Sequence, residues 1–408
     1  MNQQQIRSTP LASRHAMLGA RWTTFAGWRM PLQYTGILAE HRAVRQAAAL
    51  FDLCHMGEVL ITGEAALPFL AWSITNDPAR LESGQAQYSC LCLPDGGIVD
   101  DIVIYRLPRS ESLGSLPRWY KRVCRQTDSP EGEASFLVVV NASCREKDLS
   151  WWKRLLSNPE LAGPDRKDHF SPQPNLIDAS DSIALLAVQG PRAEEILRSI
   201  ASLETPLSEL RYFWCDWGRV AGVPALVART GYTGEDGFEL YIDVQEAEAV
   251  WDALLAAGSP KGLTPAGLGA RDTLRMEMKY ALYGNDIDES ITPLEAGLGW
   301  AVKFQKGLFV GRTALVRQKI EGIKRQLVAL VMEDHAIPRR GCPIVYRGKQ
   351  VGTVTSGGFS PTLERGIALG YVPTSLVPVG TKLEVEIRGE THPARVARAP
   401  LVPSHIKR

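Results

Sequence analysis

Gly96-Gly97-Ile98-Val99-Asp100-Asp101-Ile102-Val103 sets two adjacent carboxylates into an apolar, β-branched run. Successive side chains of a strand point to opposite faces, so this stretch sends Asp100 one way and Asp101 the other. One of the two shares a face with Val99, Val103 and Tyr105. A carboxylate on such a face is costly without a cation or proton donor, which makes it a candidate ligand-facing group. The competing reading is two aspartates near a strand start, satisfied by loop amides. Upstream, Gln87 to Leu93 and the turn Pro94-Asp95-Gly96-Gly97 complete a β-hairpin with Ile98 to Leu107. Across that hairpin Tyr88 falls near Asp101.

A second acidic turn, Arg229-Thr230-Gly231-Tyr232-Thr233-Gly234-Glu235-Asp236-Gly237-Phe238-Glu239, joins the strand Val223 to Ala228 to a returning strand Phe238 to Ile242. Alternation puts Phe238, Leu240 and Ile242 on one face and Glu239 and Tyr241 on the other. A helix is predicted from about Ala266 to Met278, with Arg271 and Arg275 one turn apart. Elsewhere the pattern gives a helix over Gly36 to Ala49, strands at Gly57 to Thr62, Phe136 to Asn141 and Ile183 to Val188, and a short helix at Ala65 to Trp72. Pro108 to Ser135 reads as an exposed insertion, and Asn158 to Asn175 as a connector. The last 90 or so residues are short strands punctuated by glycine, at Leu327 to Met332, Cys342 to Tyr346, Gln350 to Thr355, Ile367 to Val372 and Lys382 to Ile387. That spacing predicts a small C-terminal β-barrel.

With 408 residues, two or three domains are expected. The chain is 45% hydrophobic and 22% charged, with a mean hydropathy of −0.11, within the ordinary globular range. No apolar run approaches the roughly 20 residues that cross a bilayer. The N-terminus carries no secretory pattern, so a cytoplasmic protein with no membrane partner is expected. A net charge of +1 supplies no global field for nucleic acid. The seven cysteines form no Cys-x-x-Cys pair and the seven histidines no cluster at zinc spacing, so no metal site is expected. Gly267-Leu268-Gly269 follows Thr264-Pro265 rather than a strand and lacks a third glycine, which argues against a dinucleotide fingerprint. There is no phosphate-binding loop and no nucleophile elbow. Thr355-Ser356-Gly357-Gly358-Phe359-Ser360 reads as a tight turn. What remains is Asp101, Tyr88, Glu239, Tyr232 and Arg271, with Met56 as an apolar neighbour. Such a set suits a planar heterocycle with hydrogen-bonding edges and an anionic tail.

Read together, these segments resemble the T-protein family of the glycine cleavage system, tetrahydrofolate-dependent aminomethyltransferases, over nearly the whole chain. The resemblance rests on Thr9-Pro10-Leu11, Phe25 to Tyr34, Leu50-Phe51-Asp52 with His55-Met56-Gly57, Gly84-Gln85-Ala86-Gln87-Tyr88, Asp95 to Asp101, Ala187-Val188-Gln189-Gly190-Pro191, Gly231 to Gly237, Gly269 to Arg275, Leu282 to Ile287, Thr292 to Leu298 and Thr355 to Thr362. It implies an α+β, three-domain cloverleaf around a central folate cavity, ending in a small β-barrel. The expected units are 1–52 with 155–290 (folate-binding), 53–154 (carrying the catalytic aspartate) and 315–408 (the barrel).

The resemblance also implies roles. Asp101 is the catalytic carboxylate; Glu239 and Tyr232 contact the pterin; Arg271, Tyr88 and Met56 line the folate cavity, with Asn141 nearby. Tyr280 matches a folate-contacting tyrosine, and reaches the same pocket as Arg271 only if the helix ends before it. The implied reaction moves a one-carbon unit from an aminomethylated lipoyl H-protein to the co-substrate tetrahydrofolate, with release of ammonia, giving 5,10-methylenetetrahydrofolate. The alternatives on the same scaffold are a folate-binding repair or regulatory protein and a folate-dependent demethylase. Repair relatives carry a cysteine motif where this chain has Lys306-Gly307-Leu308-Phe309-Val310-Gly311-Arg312, which lacks it. The chain departs from the family pattern in the long 108–135 segment and in Lys279, where many members have glycine.

Overall fold

The computed structural model describes residues 6–109, 116–127 and 135–407. Three sheet-based units account for most of it. A seven-stranded sheet takes its strands from both sides of the central segment, in the order Ala201–Leu203, Cys215–Val220, Val223–Ala228, Gly237–Asp243, Ile183–Gln189, Ala48–Asp52 and Leu263–Pro265. Ala48–Asp52 and Ile183–Gln189 are buried on both faces, which explains their continuous apolar runs. They are the centre on which the sheet is built. A five-stranded sheet runs Ala86–Cys92, Ile98–Arg106, Phe136–Val140, Gly57–Thr62 and Asn175–Asp178. Six strands between Arg325 and Ala397 close into the C-terminal barrel. The fold is thus α+β with a terminal small barrel. No helix among the described residues is long and apolar enough to cross a membrane.

Several local expectations change. The boundary placed at 154/155 falls inside a helix, Arg145–Ser157. Beyond it, Asn175–Asp178 hydrogen-bonds to the edge of Gly57–Thr62, so the second unit reaches further along the chain than expected. Four residues with little alternation give no strand signal until a partner edge is known. The 108–135 segment, read as exposed, holds a helix at Arg118–Thr127 whose Trp119 and Val123 are buried, as is the preceding Leu116. The carboxylate of Asp243 accepts the first backbone N–H groups of that helix, from Arg118 and Trp119, at 2.8 and 2.7 Å. Residues 110–115 and 128–134 lie outside the described residues.

Thr355 to Ser360 is not a turn but the end of the long strand Lys349–Ser360. Its glycines serve close approach: a Cβ on Gly358 would lie 2.8 Å from Met276 Cε, where helix Leu268–Glu277 meets the barrel. That helix stops one residue earlier than its sequence suggested. Lys279 then turns the chain with φ +58°, the left-handed conformation usually given to glycine. Because the helix ends there, Tyr280 does not continue its spiral.

Candidate functional site

Where the three units meet they enclose a cavity of about 1190 Å³, reached by side chains from both sheets, the helix Leu268–Glu277, the 278–300 segment and the barrel. Asp101, Tyr88, Met56, Asn141, Tyr232, Glu239, Arg271 and Tyr280 all line it. Residues separated by more than 200 positions in sequence therefore share one cavity.

The hairpin register pairs Tyr88 with Val103 and Cys90 with Asp101. Tyr88 and Asp101 are diagonal neighbours on the cavity face, and the Tyr88 hydroxyl donates to Asp101 Oδ2 at 3.0 Å. The Asn141 amide donates to Asp101 Oδ1 at 2.8 Å from the end of the neighbouring strand. Asp101 is thus fixed at both oxygens. Burial pushes its carboxyl up to about 7, helped by the adjacent Asp100 charge and opposed by the Tyr88 and Asn141 hydrogen bonds. Burial and the Asp101 carboxylate hold the Tyr88 hydroxyl well above the usual phenol range, so it remains a donor at neutral pH. Asp100 points to the other side and is fully buried, accepting from the Asn141 backbone and side chain at 3.0 and 2.9 Å.

Also lining the cavity, Glu239 is held through one oxygen. Its Oε2 accepts from Thr230 at 2.7 Å, Tyr105 at 3.2 Å and Tyr241 at 3.3 Å. Among the described residues Oε1 has no such donor, which leaves an acceptor for a ligand. Tyr232 stacks on Tyr280 with centroids 5.5 Å apart and planes at 29°, and its hydroxyl donates to the Ala281 carbonyl. Arg271 lies with its guanidinium 4.6 Å from the Tyr232 ring centroid. Among the described residues it forms no ion pair, and burial lowers its pKa. A desolvated cation over an aromatic plate, with a free carboxylate oxygen in the same cavity, is a setting for a flat ligand that carries negative charge.

Sequence reasoning missed several neighbours. Trp300 stacks on Tyr88 at 5.4 Å and 27°, yet keeps 59% of its surface exposed at the cavity edge. His55 is buried against Phe25 and lines the cavity, and burial and the Arg271 charge lower its pKa to about 4, so it is neutral. Its place in His55-Met56-Gly57 was the available signal. Trp300 gave none, because its position depends on how the 291–306 segment crosses the hairpin.

Two family models match the chain: the GCVT N-terminal domain over residues 11–113 and 130–306, and the glycine cleavage T-protein C-terminal barrel domain over 325–403. The chain is 46% identical over 408 residues to the aminomethyltransferase of Symbiobacterium thermophilum, covering 99% of this chain and all of that one. It is 43% identical over 397 residues to that of Halothermothrix orenii, covering 97% of this chain and all of that one. The crystal structure of glycine cleavage system aminomethyltransferase T from Bartonella henselae superposes with a TM-score of 0.83 at 32% identity, over 99% of this chain and all of that one. With both domains matched in order and relatives aligned end to end, the chain belongs to the glycine cleavage T-protein family and is an aminomethyltransferase.

Proposed function

We propose that this enzyme takes the aminomethyl group carried as a thioether on the lipoyl arm of an H-protein and delivers its carbon to tetrahydrofolate, giving 5,10-methylenetetrahydrofolate and ammonia. The observation that carries the reading is the Asp101 carboxylate, fixed by Tyr88 and Asn141 and facing the cavity that Glu239 and Arg271 also face. The cavity volume exceeds the roughly 300–1,000 Å³ usual for small-molecule sites, which leaves room for an extended co-substrate and the end of a carrier arm. The donor set suits a folate: the free Glu239 oxygen for an N–H edge, the Tyr232–Tyr280 pair for a planar ring, and Arg271 for an anionic tail.

Tetrahydrofolate supplies two nucleophilic nitrogens that accept the carbon. In the balanced reaction the carbon–sulfur and carbon–nitrogen bonds of the donor break and two carbon–nitrogen bonds form; the two nitrogen-bound protons end on the thiol and the ammonium. Asp101 contributes position and charge. Ionised, it orients the N–H that must be lost and stabilises the positive charge that grows on the transferred carbon. Neutral Tyr88 and Asn141 keep it aimed without supplying a competing cation.

Two outcomes follow. Because the ionised form acts and its carboxyl is raised to about 7, kcat/KM should rise with pH through a limb centred near 7. A profile flat from pH 5.5 to 8 would count against Asp101 as the ionised participant. Glu239→Gln keeps shape and loses charge, so calorimetry should find tetrahydrofolate bound about 10- to 100-fold more weakly, the worth of one charge-assisted hydrogen bond. Unchanged affinity would remove Glu239 from the recognition set.

The reading itself is tested by donor exchange. Purified enzyme with tetrahydrofolate should form product from aminomethylated lipoyl H-protein and not from dimethylglycine or another small methylated amine. Turnover on the small amine alone would replace this reading with a demethylase.

A further inference from the structure

Behind the cavity wall lies a second carboxylate pair that the reaction as described does not use. Asp148, in the first turn of helix Arg145–Ser157, is fully buried, and among the described residues neither of its oxygens meets an N–H or O–H donor. Ligand atoms of Asp100, Cys144 and Asp148 lie within 4.8 Å of one another. Two ionised carboxylates buried that close do not both persist, so the pair holds one proton. The distribution of donors decides where it sits. Asn141 gives Asp100 its backbone N–H at 3.0 Å and its side-chain amide at 2.9 Å, whereas Asp148 receives nothing. The carboxylate with donors keeps the charge and the one without carries the hydrogen. Burial, followed by the Asp100 charge, accordingly raises Asp148 well above the usual carboxylate range.

We propose that Asp148 is a positioning residue for Asp101: its protonated carboxyl donates to Asp100, keeps Asp100 ionised, and so maintains a negative charge directly behind the cavity carboxylate. The proposal rests on the reading of Asp101 as the catalytic group. The geometry connects the two through Asn141, whose single amide nitrogen donates to Asp100 Oδ1, Asp101 Oδ1 and the Asp101 carbonyl at 2.9, 2.8 and 3.0 Å. That forked arrangement requires Asp100 to be an acceptor. The other titratable or charged groups facing the pair are Cys90 on the neighbouring strand, Cys144 just before the helix, Lys147 on it, and Tyr283 from the 281–289 loop. Lys147 is engaged elsewhere, donating to the Val99 carbonyl at 2.6 Å and to the Tyr283 hydroxyl, and lying 3.5 Å from Glu289. No cation neutralises Asp100 at hydrogen-bond distance among the described residues.

Asp148→Leu removes the proton donor while filling the space. Asp100 should then take up a proton itself, its charge disappears, and Asp101 ionises more readily. The acid limb of kcat/KM should move to lower pH by about one unit. Asp148→Asn restores an N–H donor to Asp100, so its limb should return to within about 0.3 units of wild type, an offset worth less than one hydrogen bond. Asp100→Asn removes the charge outright and should shift the limb as Asp148→Leu does, which keeps the test open if the leucine variant does not fold. A purely structural role for Asp148 would lower activity without moving the limb. Coincident limbs in Asp148→Leu and wild type would overturn the proposal. So would an Asp148→Asn limb displaced as far as that of Asp148→Leu, or an unmoved limb in Asp100→Asn. Asp101→Asn serves as reference: retained turnover there overturns the catalytic reading itself, while lost turnover with unmoved limbs overturns this inference alone.

Discussion

Asp101→Asn should cut turnover by roughly 10²- to 10³-fold, the range for loss of a preorganised electrostatic group, while leaving tetrahydrofolate affinity within about threefold. The substitution is close to isosteric. Its carbonyl can accept from Asn141, and its amide can donate to a Tyr88 hydroxyl that rotates to accept, so the two contacts at 2.8 and 3.0 Å survive in altered polarity. What disappears is the negative charge at the cavity wall. If that charge acts mainly on the N–H being lost and on the carbon being transferred, binding made by Glu239, Tyr232 and Arg271 on other elements is untouched. Single-turnover kinetics beside calorimetric titration separates the two. Equal loss of rate and affinity would mean that Asp101 is a binding group.

The largest stability effect is expected at Asp286. Its carboxylate accepts from Arg275 Nη1 at 2.7 Å, the Leu282 backbone at 3.0 Å, Ser356 at 2.9 Å and Thr355 at 2.5 Å. Its own carbonyl accepts from the Tyr371 hydroxyl at 2.7 Å. One side chain thus ties the helix Leu268–Glu277, the 281–287 loop and the barrel together, and Asp286 and Arg275 are each 1% exposed. Asp286→Ala leaves the Arg275 guanidinium buried with, among the described residues, only the partly exposed Asp272 as counter-ion. Removing one partner of such a pair costs about 3–5 kcal/mol. The urea midpoint should fall accordingly, and tetrahydrofolate binding should weaken with it, because Ala281 in the same loop receives the Tyr232 hydroxyl. The double change Arg275→Met with Asp286→Leu should lose less than Asp286→Ala alone, since no unpaired charge remains. A loss below about 1 kcal/mol in Asp286→Ala would show that water reaches the guanidinium.

How much of this could be read beforehand depended on the range of the interaction involved. The division of Asp100 from Asp101 follows from strand alternation, and the sharing of a face by Glu239 and Tyr241 from the same rule, so both were legible. The barrel was legible from the spacing of its strands, although the strand Glu390–Ala397, which closes it against Arg325–Met332, was not. The placement of Tyr280 turned on one residue, because only a helix ending before it allows it to stack on Tyr232. Asp148 was invisible: its role requires knowing that a helix start lies against the back of a strand some 40 positions earlier. The helix at Arg118–Thr127 was hidden for a similar reason. Its N-terminus is satisfied by Asp243, far away in sequence, and the surrounding Pro-, Ser- and Gly-rich residues obscured it.

The most direct measurement is the stoichiometry of one turnover. Purified enzyme, tetrahydrofolate and aminomethylated lipoyl H-protein should yield one ammonia and one free lipoyl thiol for each 5,10-methylenetetrahydrofolate formed, with the same quantities reduced to background in Asp101→Asn. Ammonia released without methylenetetrahydrofolate, or folate bound with no turnover at all, would contradict the account.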